Sequence, residues 1–309
     1  MKKFRPTNLA YGLVVALLLS GSTVLTSCTN SEIDKTPDTH ISGSKDYSKP
    51  IKSIDQITPT YEFKRWDGEY YLTIDEESLE QIIKLAMKNA QSFYLGIGSY
   101  NMKLDKDLNN MKGENNFYTD WMNPEFFMAR AKQESSELFM VNYRANLNED
   151  INKDPCGIMQ INPNSVKETL MQYYRDIYHE DINLMNIQVF PNESDVEKAE
   201  TSKKAQKNIT QTIYNNVYLS ICFDIYEAKC LNPGHTDYYS RYGGYSEDLR
   251  RQATIAAYLF SHDDVVESLI NGSFNELYGS TEYVQNITQF QKEFENKNVR
   301  EKYYNGPQN

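Results

Sequence analysis

A glutamate within a predicted helix is the side chain in this sequence best placed to transfer a proton. The helix starts at Asn-Pro-Glu, residues 123–125, with an N-cap residue, a first-turn proline and an acid that the helix dipole favours. At 3.6 residues per turn, the carboxyl of Glu134 shares an apolar stripe with Phe127, Ala131 and Leu138. We therefore expect Glu134 to lie deep inside the helix, where an acid must be paired, kept protonated or used.

The alternative is that Glu134 lies at the edge of the stripe and reaches water or Arg130, one turn back. The residues that follow favour a catalytic role for Glu134. Glu134-Ser135, together with Gly-Ile-Met-Gln at 157–160 and Pro163, resembles the Glu-Ser and Gly-Leu-Met-Gln motifs of the soluble lytic transglycosylase family. That family cleaves bacterial peptidoglycan on a lysozyme-like fold.

The resemblance implies a mainly α, lysozyme-like domain in which Glu134 is the catalytic acid. It extends over residues 121–290 and includes Asn208-Ile209 with Tyr218-Leu219, and Ala256-Ala257-Tyr258, where Leu259 replaces the asparagine that is usual in the family. The substrate-binding residues that it implies are Ser135, Gly157, Met159, Gln160 and Tyr258. For Met159, packing in the core is the simpler explanation.

Cleavage of a glycosidic bond requires an acid for the leaving oxygen and a group that deals with the sugar cation left behind. A transglycosylase needs one carboxyl, because the C6 hydroxyl of N-acetylmuramic acid attacks and closes a 1,6-anhydro ring. Two other functions stay open: a muramidase, and a lipoprotein that binds the cell wall without cleaving it. A muramidase needs a second carboxylate, for which the sequence offers Glu137, Glu149, Asp150 and Asp154.

The first residues resemble a bacterial lipoprotein signal. Basic residues precede an apolar segment that is too short to span a membrane, and Leu-Thr-Ser-Cys at 25–28 resembles a lipobox. The prediction is a signal peptide over 1–27, a lipid on Cys28, a flexible tether over 28–59 and one domain over 60–309. An ordinary signal peptide with a chance cysteine is the alternative. The expected location is the extracytoplasmic side of a bacterial membrane.

The net charge narrows the choice of partners. Residues 1–27 carry three basic and no acidic residues, so their removal takes the formal charge from -11 to -14. A chain this acidic is a poor binder of nucleic acid, so we expect peptidoglycan and the lipid anchor to be its contacts. We expect no cofactor and no metal, since the four histidines have no paired helical spacing. Cys156, Cys222 and Cys230 are either free thiols or include one pair that contains Cys156.

Local patterns place the remaining elements. Asp67-Gly68 predicts a hairpin within 61–74, with Tyr70, Leu72 and Ile74 on one face. Apolar residues at helical spacing predict further helices after Asp75, from about Asn164 or Ser165, from about Ile209, after Ser246, after Ser261 and around 283–294. Residues 238–245 form a tyrosine-rich loop that either binds sugar or packs on its own.

Overall fold

The structure is a computed structural model that describes residues 53–66, 68–94, 121–144, 154–179, 181–230, 246–260 and 262–304. All of these residues belong to one compact unit, residues 51–309. Cys28 and its signal, Asp67, residues 95–120, the tyrosine-rich loop and Ser261 lie outside the described residues, and so does most of the predicted tether.

The described residues form a mainly helical domain with a small antiparallel hairpin, which confirms the predicted fold class. The likeness to lysozyme stays a prediction. A 3₁₀ turn over Ile54–Gln56 precedes the hairpin strands β1 (Tyr61–Trp66) and β2 (Glu69–Ile74). The helices are α1 (Glu76–Tyr94), α2 (Pro124–Glu134), α3 (Pro163–Tyr178), α4 (Glu193–Glu197), α5 (Lys203–Cys230), α6 (Glu247–Leu259), α7 (His262–Ile270) and α8 (Glu282–Tyr304). A π-helical turn over Asn275–Gly279 lies between α7 and α8.

Side-chain caps start several helices where the sequence indicates them. Asn123 accepts a hydrogen bond from the backbone N–H of Phe126 at 2.9 Å, and Ser246 accepts one from Leu249 at 3.2 Å. Two starts differ from the prediction: α3 begins at Pro163 behind the cap Asn162, and α5 begins at Lys203, six residues before Ile209. In α3 the Asn-Pro pair decides the start, as it does in α2.

One core connects the helices and the hairpin. Helix α1 packs against α5, and α2 packs against α8. The hairpin contributes Leu72 and Ile74, whereas Tyr70, expected on the same face, is 68% exposed at the tip. Ile57 is also buried, so the core includes the last part of the sequence assigned to the tether. Burial of this continuous apolar surface holds α2 in place for the site described next.

Candidate functional site

Glu134 is the last residue of α2, and the expectation that it lies deep inside the helix is wrong. The chain turns sharply after it, and Leu138 belongs to the turn rather than to a helical stripe. Ser136, Glu137 and Phe139 adopt positive φ angles of 53°, 66° and 51°. Residues other than glycine rarely adopt this conformation, which costs about 1–2 kcal/mol per residue. Such strain concentrates at functional sites.

Backbone hydrogen bonds to the hairpin hold this turn. The N–H of Ile74 donates to the carbonyl of Phe139 at 3.3 Å, and the N–H of Val141 donates to the carbonyl of Leu72 at 2.9 Å. The side-chain oxygen of Asn142 accepts from the N–H of Leu72 at 2.9 Å. Strand β2 therefore fixes the segment that follows Glu134.

The 157–160 loop is built around Asn216 of α5. The side chain of Asn216 donates to the carbonyl of Cys156 and accepts from the N–H of Met159, both at 3.0 Å. Gly157 has φ +77°, and a Cβ there would lie 2.5 Å from Asn216 Nδ2. The glycine is therefore required by close approach of the protein's own side chain. Met159 is fully buried, in agreement with the core alternative.

Gln160 connects the loop to the segment after Glu134. It is a fourth non-glycine residue with positive φ, 47°, and its Nε2 donates to the carbonyls of Gly157 at 2.6 Å and Tyr143 at 3.0 Å. Its Oε1 is buried and has no hydrogen-bond partner among the described residues. Four of the five positive-φ residues other than glycine in the described part of the chain thus lie in the two motif segments; His179 is the fifth.

Ser135 lies in the interior, where its hydroxyl donates to the carbonyl of Ala131 at 2.5 Å. That hydrogen bond ties the Ser135 side chain to a backbone carbonyl in the last turn of α2. The structure therefore gives this side chain a structural role and no access to a substrate.

A buried ion pair lies beneath the site. Arg130, considered above as a partner for Glu134, instead has its Nη2 at 3.1 Å from Oδ1 of Asp224, and both side chains are completely buried. The guanidinium also lies over the ring of Tyr258, 3.8 Å from its centroid. Burial raises the pKa of Asp224, and Arg130 limits that rise. Removal of either partner would leave an uncompensated buried charge.

Tyr258 connects the two motif segments through side-chain contacts. Its ring stacks on Arg130, one turn before Glu134, while its hydroxyl donates to the carbonyl of Met159 and lies 3.4 Å from the hydroxyl of Ser220. Burial first, and the charge of Glu134 second, raise the pKa of this phenol. Tyr258, which belongs to the Ala-Ala-Tyr sequence that matches the family only in part, therefore lies between the segments of Glu134 and Gln160.

Glu134 itself is partly buried, and its electrostatic environment favours the protonated form. Burial raises the pKa of the carboxyl to about 7, while Arg130 and a hydrogen bond from the hydroxyl of Tyr283 to Oε1 limit the rise. Asp224 contributes a further increase. A carboxyl with this pKa both donates and accepts a proton near neutral pH.

The other carboxylates proposed from sequence are not equivalent to Glu134. Asp154 is buried and faces Arg144 at 3.5 Å, and Glu137 is exposed. Glu149 and Asp150 lie outside the described residues. Cys156 and Cys222 are buried and form no disulfide, and burial raises the pKa of both thiols, which keeps them protonated. Within the described ranges, no group of three or more His, Cys, Asp or Glu side chains is arranged to hold a metal ion.

Asp224 was missed in the sequence, although one feature distinguishes it. It is the only charged residue between Lys207 and Glu227, in the helical segment where Ile213, Val217, Ile221 and Ile225 form the core face. A lone acid in such a segment needs a buried cation. Tyr283 was recognised as part of an apolar stripe and, within Glu282-Tyr283-Val284, as part of a resemblance to the stretch that closes the transglycosylase domain, but no local pattern links it to Glu134.

Two surface concavities in the described part of the chain lie elsewhere. One, of about 340 Å³, is lined by residues of α6 and α8 that include Gln252 and Gln285; the other, of about 280 Å³, lies beside the start of α3 and includes Lys167. Neither is lined by Glu134 or Gln160, and neither contains an arrangement of acids suited to glycan cleavage. The candidate site is therefore identified by the chemistry of its side chains and not by either of these two concavities.

Comparison with protein-family models, with curated proteins and with solved structures finds no match for this chain. In the residues that the structure describes, no helix has both the length and the apolar character needed to cross a membrane. The fold and the site together define a mainly helical domain that holds one protonatable carboxyl between a strained turn and a buried arginine.

Proposed function

We propose that this protein is a peptidoglycan lytic transglycosylase that cleaves the β-1,4 bond between N-acetylmuramic acid and N-acetylglucosamine. The observation that carries the proposal is the environment of Glu134. Its carboxyl is partly buried, its pKa is raised to about 7, and Tyr283 donates a hydrogen bond to one of its oxygens. The Gly-Ile-Met-Gln loop is joined to the same region through Tyr258 and through the segment that ends at Tyr143.

The proposed reaction uses the same carboxyl twice. Protonated Glu134 donates its proton to the glycosidic oxygen, the bond from that oxygen to C1 of the muramic acid breaks, and N-acetylglucosamine leaves with a hydroxyl. The C6 hydroxyl oxygen then bonds to C1, and its proton passes to the Glu134 carboxylate, which restores the acid. Because Tyr283 occupies Oε1, the other oxygen, Oε2, is the one that meets the substrate.

The surrounding charges suit both halves of this cycle. Burial favours the protonated acid at the start, whereas Arg130 and the Tyr283 hydroxyl favour the carboxylate that forms during the first step. Asp224, the acid that raises the pKa of Glu134, is completely buried against Arg130 and is therefore unsuited to activating water. This arrangement favours attack by the hydroxyl of the sugar.

The test is mass spectrometry of the fragments that the purified chain releases from peptidoglycan. We expect wild-type protein to release fragments with 1,6-anhydro ends. Glu134→Gln should lower the rate by about 10²–10⁴-fold, which is the usual contribution of a general acid or base. Glu137→Gln is the matched control, because that exposed glutamate is three residues away and should leave the rate unchanged.

The alternatives predict different products, or binding without any product. Fragments with reducing ends would identify a muramidase. Sedimentation of the protein with peptidoglycan, without any release of fragments, would identify a wall-binding protein. Equal activity of Glu134→Gln and wild type would contradict the role of Glu134.

We also propose that a lipid on Cys28 anchors the protein on the extracytoplasmic side of a bacterial membrane. This proposal rests on the Leu-Thr-Ser-Cys sequence at 25–28. Incorporation of a fatty-acid analogue into the wild-type chain, and its loss in Cys28→Ala, would support it. Equal incorporation in both would contradict it.

A further inference from the structure

Three aromatic side chains form a cluster on the side of the hairpin opposite to the core. Trp66 and Tyr71 lie 6.0 Å apart between ring centroids, and each lies 5.8 Å from Tyr143. All three rings meet at steep angles, between 64° and 85°, and all three side chains are only partly buried. We call these three residues the aromatic cluster.

The hairpin register separates this cluster from the core. Lys64 pairs with Tyr71, and Trp66 pairs with Glu69, so Trp66 and Tyr71 project from one face. The opposite face carries Tyr61, Phe63, Leu72 and Ile74, which attach the hairpin to the core. Because the core face already holds the hairpin, anchoring to the core does not account for the two large rings on the other face or for Tyr143, which packs against them.

Hydrogen bonds attach the aromatic cluster to both motif segments. The carbonyl of Tyr143 accepts from the N–H of Gly157 and from Nε2 of Gln160, each at 3.0 Å. Strand β2, which carries Tyr71, is bonded to the turn that follows Glu134 through Phe139. The cluster is thus an extension of the candidate site along the hairpin.

The chemistry of the aromatic cluster suits a sugar ring. Tyrosine and tryptophan combine an apolar ring with a polar edge, and a saccharide combines apolar C–H faces with a rim of hydroxyl and amide groups. The hydroxyl of Tyr71 donates to Glu69 at 3.0 Å, and the exposed Lys64 lies directly across the hairpin from Tyr71. Polar groups that could bind the rim of a sugar therefore border the rings.

We propose that the aromatic cluster is a saccharide-binding subsite that holds a sugar of the glycan strand away from the bond being cleaved. This inference rests on the proposed function for the identity of the strand. We expect a β-1,4-linked N-acetylglucosamine oligomer to bind at Trp66, Tyr71 and Tyr143. This binding is tested by an experiment that does not require catalysis.

The sequence provides a direct spectroscopic readout, because it contains two tryptophans. Trp66 belongs to the cluster, whereas Trp121 is buried with 8% exposure and serves as an internal reference. We would label full-length Glu134→Gln protein with 5-fluorotryptophan in detergent and add chitotetraose as the probe. The ¹⁹F signal of Trp66 should shift with saturation while that of Trp121 stays in place.

Matched variants of adjacent residues sharpen the test. Tyr71→Ala should weaken binding by roughly tenfold, as expected for loss of one aromatic contact. Tyr70→Ala should not, because Tyr70 is 68% exposed on the other face of the same strand. Thermal unfolding of both variants identifies any loss of the hairpin.

The outcomes separate this inference from the proposed function. A Trp66 signal that does not move, or equal weakening by Tyr70→Ala and Tyr71→Ala, overturns the subsite even if wild-type protein releases anhydro fragments. A saturable Trp66 shift that Tyr71→Ala weakens supports the subsite even if no fragments are released, a result that would instead contradict the transglycosylase.

Discussion

At the scale of single residues, the proton affinity of Glu134 reflects opposing influences. Burial and Asp224 favour the acid, whereas Arg130 and the hydroxyl of Tyr283 favour the carboxylate. The balance lies near pH 7, where a group that must first donate and then accept a proton works best. Each neighbour is therefore a means of shifting the pH range of activity without removal of the catalytic group.

Tyr283→Phe is expected to shift the alkaline limb of the pH–activity profile to higher pH. The substitution removes a hydrogen bond that stabilises the Glu134 carboxylate, so the pKa of Glu134 rises. A hydrogen bond to a charged group contributes about 1.5–3 kcal/mol, so the shift should be about one pH unit or more. The measurement is the release of fragments as a function of pH.

Tyr278→Phe is the control for this experiment. Tyr278 belongs to the π-helical turn before α8 and packs against Phe260 and Phe274, so loss of its hydroxyl should leave the limb in place. A limb that stays in place or moves to lower pH in Tyr283→Phe would show that the hydroxyl does not stabilise the carboxylate.

At the scale of elements, the site depends on how the 157–160 loop packs against α5. Gly157→Ala would place a Cβ 2.5 Å from Nδ2 and 2.8 Å from Cγ of Asn216. Asn216 would have to move, which would break its bonds to Cys156 and Met159. We expect overpacking to lower the free energy of unfolding by about 1–3 kcal/mol, in addition to the cost of positive φ. The measurement is urea denaturation.

Gly272→Ala isolates the conformational part of this cost. Gly272 has φ +72°, close to the +77° of Gly157, but nothing lies within 4 Å of the position that a Cβ would occupy there. The free energy of unfolding of Gly272→Ala should therefore fall only by the cost of a side chain at positive φ, about 1 kcal/mol. Equal destabilisation of the two variants would show that Asn216 adapts without cost.

The elements that the sequence predicts correctly are those with local determinants. The start of α2 at Asn123-Pro124 and the hairpin around Gly68 follow from caps and turn residues that act within a few positions. The end of α2 had no such indication, because the turn after Glu134 contains neither glycine nor proline. Hydrogen bonds to β2, some 65 residues earlier in the chain, hold that turn.

Local sequence patterns also do not predict the charged and hydrogen-bonded contacts of the site. Arg130 and Asp224 are 94 positions apart, and the hydrogen bond from Tyr283 to Glu134 spans 149. Helical periodicity assigns Tyr283 to an apolar stripe, and it does lie in the core. Which buried hydroxyl meets which carboxyl depends on how α2, α5 and α8 pack together, and periodicity carries no such information.

At the scale of the whole molecule, a buried acid with a raised pKa makes stability depend on pH. Between the ordinary glutamate pKa of 4.5 and the value of about 7 for Glu134, the folded protein holds a proton that the unfolded chain releases. The free energy of unfolding therefore falls as pH rises through this window. Glu134 alone accounts for a fall of up to about 3 kcal/mol, at 1.36 kcal/mol per unit of pKa shift.

Glu134→Gln is therefore expected to be inactive but more stable than wild type at alkaline pH. The amide cannot ionise, so the stability difference should be small near pH 4 and should grow to as much as about 3 kcal/mol by pH 8. The raised pKa of Asp224 and of the His262 imidazole beside Glu227 also makes stability depend on pH. Both groups remain in the variant, so the difference between the two proteins isolates Glu134.

Glu137→Gln provides the comparison, since it makes the same chemical change at an exposed position in the next turn of chain. Its unfolding free energy, measured by urea denaturation from pH 4 to pH 8, should follow that of wild type. If Glu134→Gln also followed wild type across this range, the carboxyl would titrate alike in the folded and unfolded chains. It would then carry no proton at neutral pH, and the same result would remove the physical basis for its action as an acid.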